Sequence, residues 1–278
     1  MSEIKMKSER VSIGGHVVHY QEAGQGDPVM LIHGGGPGAY GYSNYRRNIE
    51  PLARTNRVIV VDLPGYGQSD AIPLSGGLFD VMAEKMLGLM AEIGLQRASI
   101  VGNSLGGGTA LRMALSEPSR VDRLVLMGPG GSLPVLSPFP TEGLIRMLTF
   151  YDGEGPSVAK LKKVIELLVF DPASISDELI EERFKAATLP QTLANPPLRG
   201  RGANPADDLW RQPLYSLQQR TLIVWGREDR VMPLDAALLL LRAIPNAQLH
   251  VFSKCGHWAQ WEKSDEFNSL VGNFINQS

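Results

Sequence analysis

Cysteine is almost missing: Cys255 is the only one in 278 residues. A disulfide framework needs pairs, so the fold has to be held by its own core. Charge of one sign is missing too. Lys and Arg number 27 against 29 Asp and Glu, a formal net charge of −2, which gives no global pull toward nucleic acid or anionic lipid. Long apolar runs are absent. The clearest, residues 236–241, stops at Arg242, far short of the roughly 20 residues that cross a bilayer. The opening segment MSEIKMKSER has no apolar stretch of the signal-peptide kind, and there is no internal repeat or long low-complexity tract. These absences argue against disulfide-rich, nucleic-acid-binding and membrane classes, and the expectation is a cytoplasmic globular protein. With 43% hydrophobic and 20% charged residues, the chain can bury a sizeable core and is too apolar for disorder. Its length suits one large domain or two small ones.

Glycine, by contrast, is plentiful, and its 30 residues gather in clusters behind short apolar runs. Residues 29–32 lead into His33-Gly34-Gly35-Gly36-Pro37-Gly38, and residues 57–62 into Leu63-Pro64-Gly65. Residues 98–101 lead into Gly102-Asn103-Ser104-Leu105-Gly106-Gly107-Gly108, and residues 123–127 into Gly128-Pro129-Gly130-Gly131. Helical spacing occupies residues 79–93 and 109–116. Short apolar runs alternating with helical periods imply βαβ units around a mostly parallel, buried sheet.

From residue 133 to 212 that rhythm stops. Helical stretches at 157–170 and 176–187 are divided by pieces such as Asn195-Pro196-Pro197, with no buried-strand signature. Strand and helix alternate again at 221–225, 234–243, 248–252 and 262–276. The expectation is an α/β core domain, residues 1–132 and 213–278, with a helical cap, residues 133–212, inserted after the sixth strand. An insertion there sits at the carboxyl edge of the sheet, where open α/β folds bind ligands.

Gly102-Asn103-Ser104-Leu105-Gly106 matches G-x-S-x-G between a strand and a helix, the context that a nucleophile elbow requires. A strand-to-helix turn this tight strains the serine, and the flanking glycines leave room where side chains would clash. The competing reading, a phosphate-binding turn, lacks both the Lys-Ser/Thr of a P-loop and the G-x-G-x-x-G spacing. A serine nucleophile needs N–H donors for its oxyanion. Leu105 N–H is one candidate. The second comes from the 33–38 loop, with Gly35 preferred over its neighbours Gly34 and Gly36.

Serine also needs a base oriented by a carboxylate, here in the chain order Ser, Asp or Glu, His. Of five histidines, His16 and His19 precede the core motifs, His33 is placed to brace the glycine loop, and His250 lies in a strand. His257, between the last strand and last helix, is the expected base. Asp229, after residues 221–225, is the expected acid, with Glu228 as the fallback. Cys255 as a nucleophile, or with His250 and His257 as a metal site, is disfavoured because no second ligand cluster exists. No metal or organic cofactor is called for.

Four segments together resemble a known family: HGGGPGAYGYSNY (33–45), DLPGYGQSD (62–70), GNSLGGGTAL (102–111) and FSKCGHWAQWEKSDEFN (252–268). They are similar to the meta-cleavage product hydrolases of the α/β-hydrolase fold, a mostly parallel sheet flanked by helices. Those enzymes split a carbon–carbon bond in 2-hydroxy-6-oxo-hexa-2,4-dienoates during aromatic catabolism. The resemblance implies Ser104, Asp229 and His257 as a triad and Gly35 and Leu105 as the oxyanion hole. Gly34, Asn44 and Asn103 would lie at the polar end of a small dienoate substrate, and Trp258 against its diene. The cap segment DELIEERFKAA (177–187) puts the carboxylate-binding arginine at Arg183. Its competing reading is a solvated position paired with Glu178 or Glu182. Arg199 and Arg201 are the other candidates for that role. Leu133, Leu136, Phe139, Met147, Phe150, Val231 and Trp258 are candidates for setting the C6 substituent. The family resemblance also implies a homo-oligomer. An esterase or aminopeptidase of the same fold, or a small-molecule receptor that keeps the triad, are the alternatives.

Overall fold

The computed structural model describes residues 5–74, 76–131, 140–199 and 204–277. The chain enters through a hairpin, β1 (Lys7–Ile13) and β2 (His16–Ala23). Six more strands follow: β3 (Asp27–Ile32), β4 (Asn56–Val61), β5 (Ala98–Asn103), β6 (Val121–Met127), β7 (Arg220–Gly226) and β8 (Ala247–Phe252). They form one eight-stranded sheet in the order β1-β2-β4-β3-β5-β6-β7-β8. Pairings from β4 through β8 are parallel, and β2 runs antiparallel to both β1 and β4. The order reverses at β3, which pairs with β4 on one side and β5 on the other. A crevice opens at the carboxyl ends of strands around such a switch point.

The central strands are apolar at successive positions because both faces are covered. Met30, Ile32, Ile59, Val61 and Ile100 face one core, while Val29, Leu31, Val58, Val60 and Val101 face the other. That is the two-residue alternation of a pleated strand. The second face is covered by α1 (Gly41–Tyr45), α2 (Ile49–Ala53) and, from the chain's end, α10 (Ala259–Glu262) and α11 (Ser264–Asn276). The first face takes α3 (Leu78–Glu92), α4 (Leu105–Ser116) and α9 (Asp235–Ala243).

Between β6 and β7 the chain leaves the sheet and forms α5 (Glu142–Leu148), α6 (Val158–Leu168), α7 (Asp177–Ala187) and α8 (Pro190–Ala194). Ser157 and Ser176 cap α6 and α7, their hydroxyls accepting from Lys160 N and Leu179 N. The expected helices at 157–170 and 176–187 thus start one residue later.

Two boundaries differ more. The helix expected from Thr109 starts at Leu105, because Gly106, Gly107 and Gly108 pack on the sheet where their low propensity suggested a loop. The single helix expected over 262–276 is broken at Lys263, leaving Glu262 as the last residue of α10. The helices α1, α2 and α8 are only five residues each, too short to show a hydrophobic period.

Candidate active site

Ser104 occupies the turn between β5 and α4 alone, with φ 52° and ψ −113°. A non-glycine residue held there costs about 1–3 kcal/mol unless its surroundings enforce it. They do so by hydrogen bonds. Ser104 N–H donates to Met127 O at 2.8 Å, and Ser104 O accepts from Gly108 N at 3.0 Å and Gly130 N at 2.8 Å. Gly106 makes the turn possible, since a Cβ there would strike the Ile32 carbonyl. α4 therefore sits hard on the end of β3, and its free N–H groups and positive dipole end lie beside the serine.

The glycine loop closes against this elbow. A Cβ on Gly34 would lie 2.8 Å from Asn103 Oδ1 and 3.4 Å from Ser104 Cβ, and one on Gly35 would lie 3.1 Å from Leu105 Cδ2. His33 sets the loop's orientation. Its Nδ1 donates to Gly34 O at 2.7 Å and its Nε2 accepts from Leu63 N–H at 2.9 Å, which fixes the tautomer. Gly34 O and Gly35 N–H belong to one peptide plane, so this bond also directs the Gly35 N–H. The Tyr66 hydroxyl holds the next peptide by donating to Gly35 O at 3.0 Å. Burial drives the His33 pKa down to about 4, so the ring is neutral near pH 7.

Asp229 and His257 arrive on the loops after β7 and β8. Their pair, His257 Nδ1 to Asp229 Oδ2 at 2.7 Å, has side chains only 2% exposed. Asp229 Oδ1 accepts from Val231 N at 2.8 Å and Met232 N at 2.9 Å. With Nδ1–H given to the carboxylate, Nε2 is the acceptor. Among the described residues it is buried without a hydrogen-bond partner, and His257 lines the same cavity as Ser104. Glu228 is turned away, accepting from Cys255 N at 3.0 Å and from Arg227. Gly128 leaves space for the ring, since a Cβ there would be 3.0 Å from His257 Cε1.

Asn103 braces the base loop through Nδ2, which donates to His257 O at 3.3 Å and Met127 O at 3.4 Å. Its Oδ1, without a partner among the described residues, lies beside Gly34. Asn44 on α1 is 3% exposed, and its Nδ2 also has no partner among the described residues.

Arg183 on α7 is 1% exposed, which removes the solvated-position reading. Its Nε and Nη2 donate to Pro37 O at 3.3 and 3.1 Å, while Nη1 is buried without a partner among the described residues. The guanidinium carbon stands 4.8 Å from the centroid of the Trp258 ring, a cation–π arrangement. Burial lowers its pKa to about 10, which still leaves it charged near pH 7. Glu182 does not pair with it. That carboxylate accepts from the Tyr40 hydroxyl and from Arg46 Nη1 at 3.1 Å, and Glu178 is exposed. Gly38, at φ 66°, lets the glycine loop lie against the Arg183 carbonyl.

Arg199 is half exposed, pairs with Asp152 at 3.5 Å, and does not line this cavity. Arg201 lies outside the described residues, as do Leu133, Leu136 and Phe139. Met147 from α5 reaches the cavity, as does Leu168 at the end of α6, which the sequence did not single out. Phe150 and Val231 are core residues and do not line it. Cys255 is fully buried, and burial pushes its thiol pKa up, the setting of an inert cysteine. Among the described residues no group of three or more His, Cys, Asp or Glu could hold a metal ion, and no helix is long and apolar enough to cross a membrane.

The family profile described as alpha/beta hydrolase fold matches residues 27–264. The chain is 42% identical over 271 residues to a 2-hydroxy-6-oxo-6-phenylhexa-2,4-dienoate hydrolase of Comamonas testosteroni, covering 94% of this chain and 92% of that protein. It is 40% identical over 262 residues to the 2-hydroxy-6-oxononadienedioate/2-hydroxy-6-oxononatrienedioate hydrolase 1 of Dechloromonas aromatica, covering 93% of this chain and 90% of that one. Among solved structures, a meta-cleavage product hydrolase from Pseudomonas fluorescens IP01 matches with a TM-score of 0.82 at 35% identity, covering 96% of this chain and 97% of the other.

Proposed function

The chain belongs to the α/β-hydrolase family and, within it, to the meta-cleavage product hydrolases, and from that premise we propose that it cleaves a carbon–carbon bond in a 2-hydroxy-6-oxo-hexa-2,4-dienoate. The observation that carries the reading is that one cavity joins a serine and a buried base to unsatisfied donors. Ser104 and His257 line it together with Arg183 and Asn44, whose Nη1 and Nδ2 are buried donors with no acceptor among the described residues. A guanidinium so placed is suited to a carboxylate. An enzyme for neutral esters has no use for it.

The residues then take the following roles. Arg183 and Asn44 hold the substrate carboxylate and its neighbouring oxygen, and Gly34 and the Trp258 ring border the diene. His257 moves the proton that converts the dienol to its keto tautomer, so that the departing carbon can carry an electron pair. Ser104 gives its proton to His257 and attacks the C6 carbonyl. Leu105 N–H and Gly35 N–H receive the oxyanion. The C5–C6 bond breaks, the dienoate fragment leaves with a proton from His257, and water releases the C6 acid from the serine. Ser104 activating a water directly is the other route to the same products. Met147 and Leu168 favour an apolar C6 substituent. Residues 133–212 act as the cap that closes this cavity. A cytoplasmic location and a homo-oligomeric state complete the reading, checked by cell fractionation and by analytical ultracentrifugation.

The test uses purified protein with a coloured 6-phenyl dienoate and, separately, a short p-nitrophenyl ester. Bleaching of the dienoate with weak ester turnover is the expected result, with Ser104→Ala lowering it by about 10³-fold or more. Rapid ester hydrolysis with no bleaching overturns the proposal.

A further inference from the structure

Backbone N–H groups beyond a helix end need acceptors of their own. At the end of α6 one carboxylate supplies them. Glu262 Oε1 accepts from Phe170 N at 2.8 Å and from Asp171 N at 3.0 Å. The other oxygen of the same group, Oε2, accepts from Gly256 N at 2.6 Å. Gly256 immediately precedes His257. We propose that Glu262 is a positioning residue that fastens the end of this cap helix to the loop of the catalytic histidine, so that the cavity wall and the base are set together.

Two neighbours tie the same helix end to the same loops. Trp258 N–H, next to His257, donates to Leu168 O at 3.1 Å. Arg230, next to Asp229, donates through Nη2 to Val169 O at 2.8 Å and to Glu166 O. Leu168 lines the cavity that Ser104 and His257 face. A partly buried carboxylate accepting from two separate segments fixes the distance between them, because either segment moves only by giving up charge-assisted bonds. Among the described residues neither oxygen of Glu262 is shared with a side-chain cation, and both accept from backbone N–H groups. The helix break at Lys263 ends α10 on this residue. The inference rests on the proposed roles of Ser104 and His257, but not on the identity of the substrate.

Glu262→Gln replaces one acceptor oxygen by an NH₂ donor, which cannot satisfy Gly256 and the Phe170–Asp171 pair at once. Glu262→Asp keeps the charge but is one methylene too short to span both. Each variant is compared with wild type in the rate of covalent labelling of Ser104 by a fluorophosphonate, and in kcat and KM for the dienoate. Misplacing a catalytic group slightly costs about tenfold to a hundredfold. The expected result is therefore a labelling rate and a kcat lowered by about that factor in folded protein, with KM changed less. Labelling rates and kcat within twofold of wild type in both folded variants, even with a lower melting temperature, overturn the proposal. If wild type labels at Ser104 but bleaches no dienoate, the functional reading fails while the labelling comparison still decides the role of Glu262.

Discussion

Asp229 uses one oxygen for two backbone N–H groups and the other for His257, so it cannot rotate without leaving a buried donor unpaired. His33 is held as tightly, and its burial has a consequence for stability. Its folded-state pKa of about 4 lies below the ordinary histidine value of 6.5. The unfolded chain therefore binds the proton more readily, and the stabilisation is present above 6.5 and lost as pH falls toward 4. That shift amounts to about 3 kcal/mol. Urea unfolding of wild type and His33→Gln at about pH 7 and about pH 4 checks it: the advantage of wild type shrinks at the lower pH. An equal advantage at both values means that His33 does not titrate in this window. At this scale the grouping of Ser104, Asp229 and His257 was legible, because a G-x-S-x-G turn and chain order single out these three without coordinates. The bracing of the His257 loop by Asn103 and Glu262 was not. Both act on backbone groups distant in sequence, and nothing in the local pattern of either residue announces such a partner.

Among the elements, α7 brings Arg183 to the cavity. It is anchored from the core by Tyr40 and Arg46 through Glu182, and by Pro37 through Arg183. Arg183→Ala is expected to lower kcat/KM for the dienoate by about 10- to 100-fold, the range of a hydrogen bond to a charged group, and to change p-nitrophenyl ester turnover far less. Equal losses on both substrates would make Arg183 a structural residue only. The helix itself was foreseeable from Ser176 and its apolar spacing. That its Arg183 face is the buried one came only from the family resemblance, since Glu178, Glu182 and Arg183 alone read as an ordinary charged surface. The break between α10 and α11 was likewise hidden, because nothing in the residues around Lys263 breaks helical propensity, and tertiary hydrogen bonds decide the boundary.

At the scale of the whole molecule, a single sheet divides two cores, and the site lies at the carboxyl ends of the strands, walled in part by Ala39, Leu168 and Trp258 of the first core and by no apolar residue of the second. Phe267, fully buried on α11, belongs to the core on the face away from α3 and α4. Phe267→Ala should lower the unfolding free energy by about 3–5 kcal/mol while leaving kcat of the folded protein near wild type. A large fall in kcat measured well below the melting temperature would show that the far core reaches the site. The alternation of apolar runs with helical periods already implied this layering. The N-terminal hairpin and the short helices α1 and α2 were less visible, being fixed by what they pack against.

Arg183 also bears on what the enzyme does between turnovers. It is a cation shut away from water, and among the described residues no carboxylate lies within ion-pairing distance of it. The resting protein therefore holds an electrostatic imbalance that an arriving acid relieves. On the proposed reading the dienoate fragment left after cleavage still carries the carboxylate that met this need. The pull that recruits the substrate also retains the product, so departure of the acid, rather than rupture of the carbon–carbon bond, becomes the natural brake on the cycle.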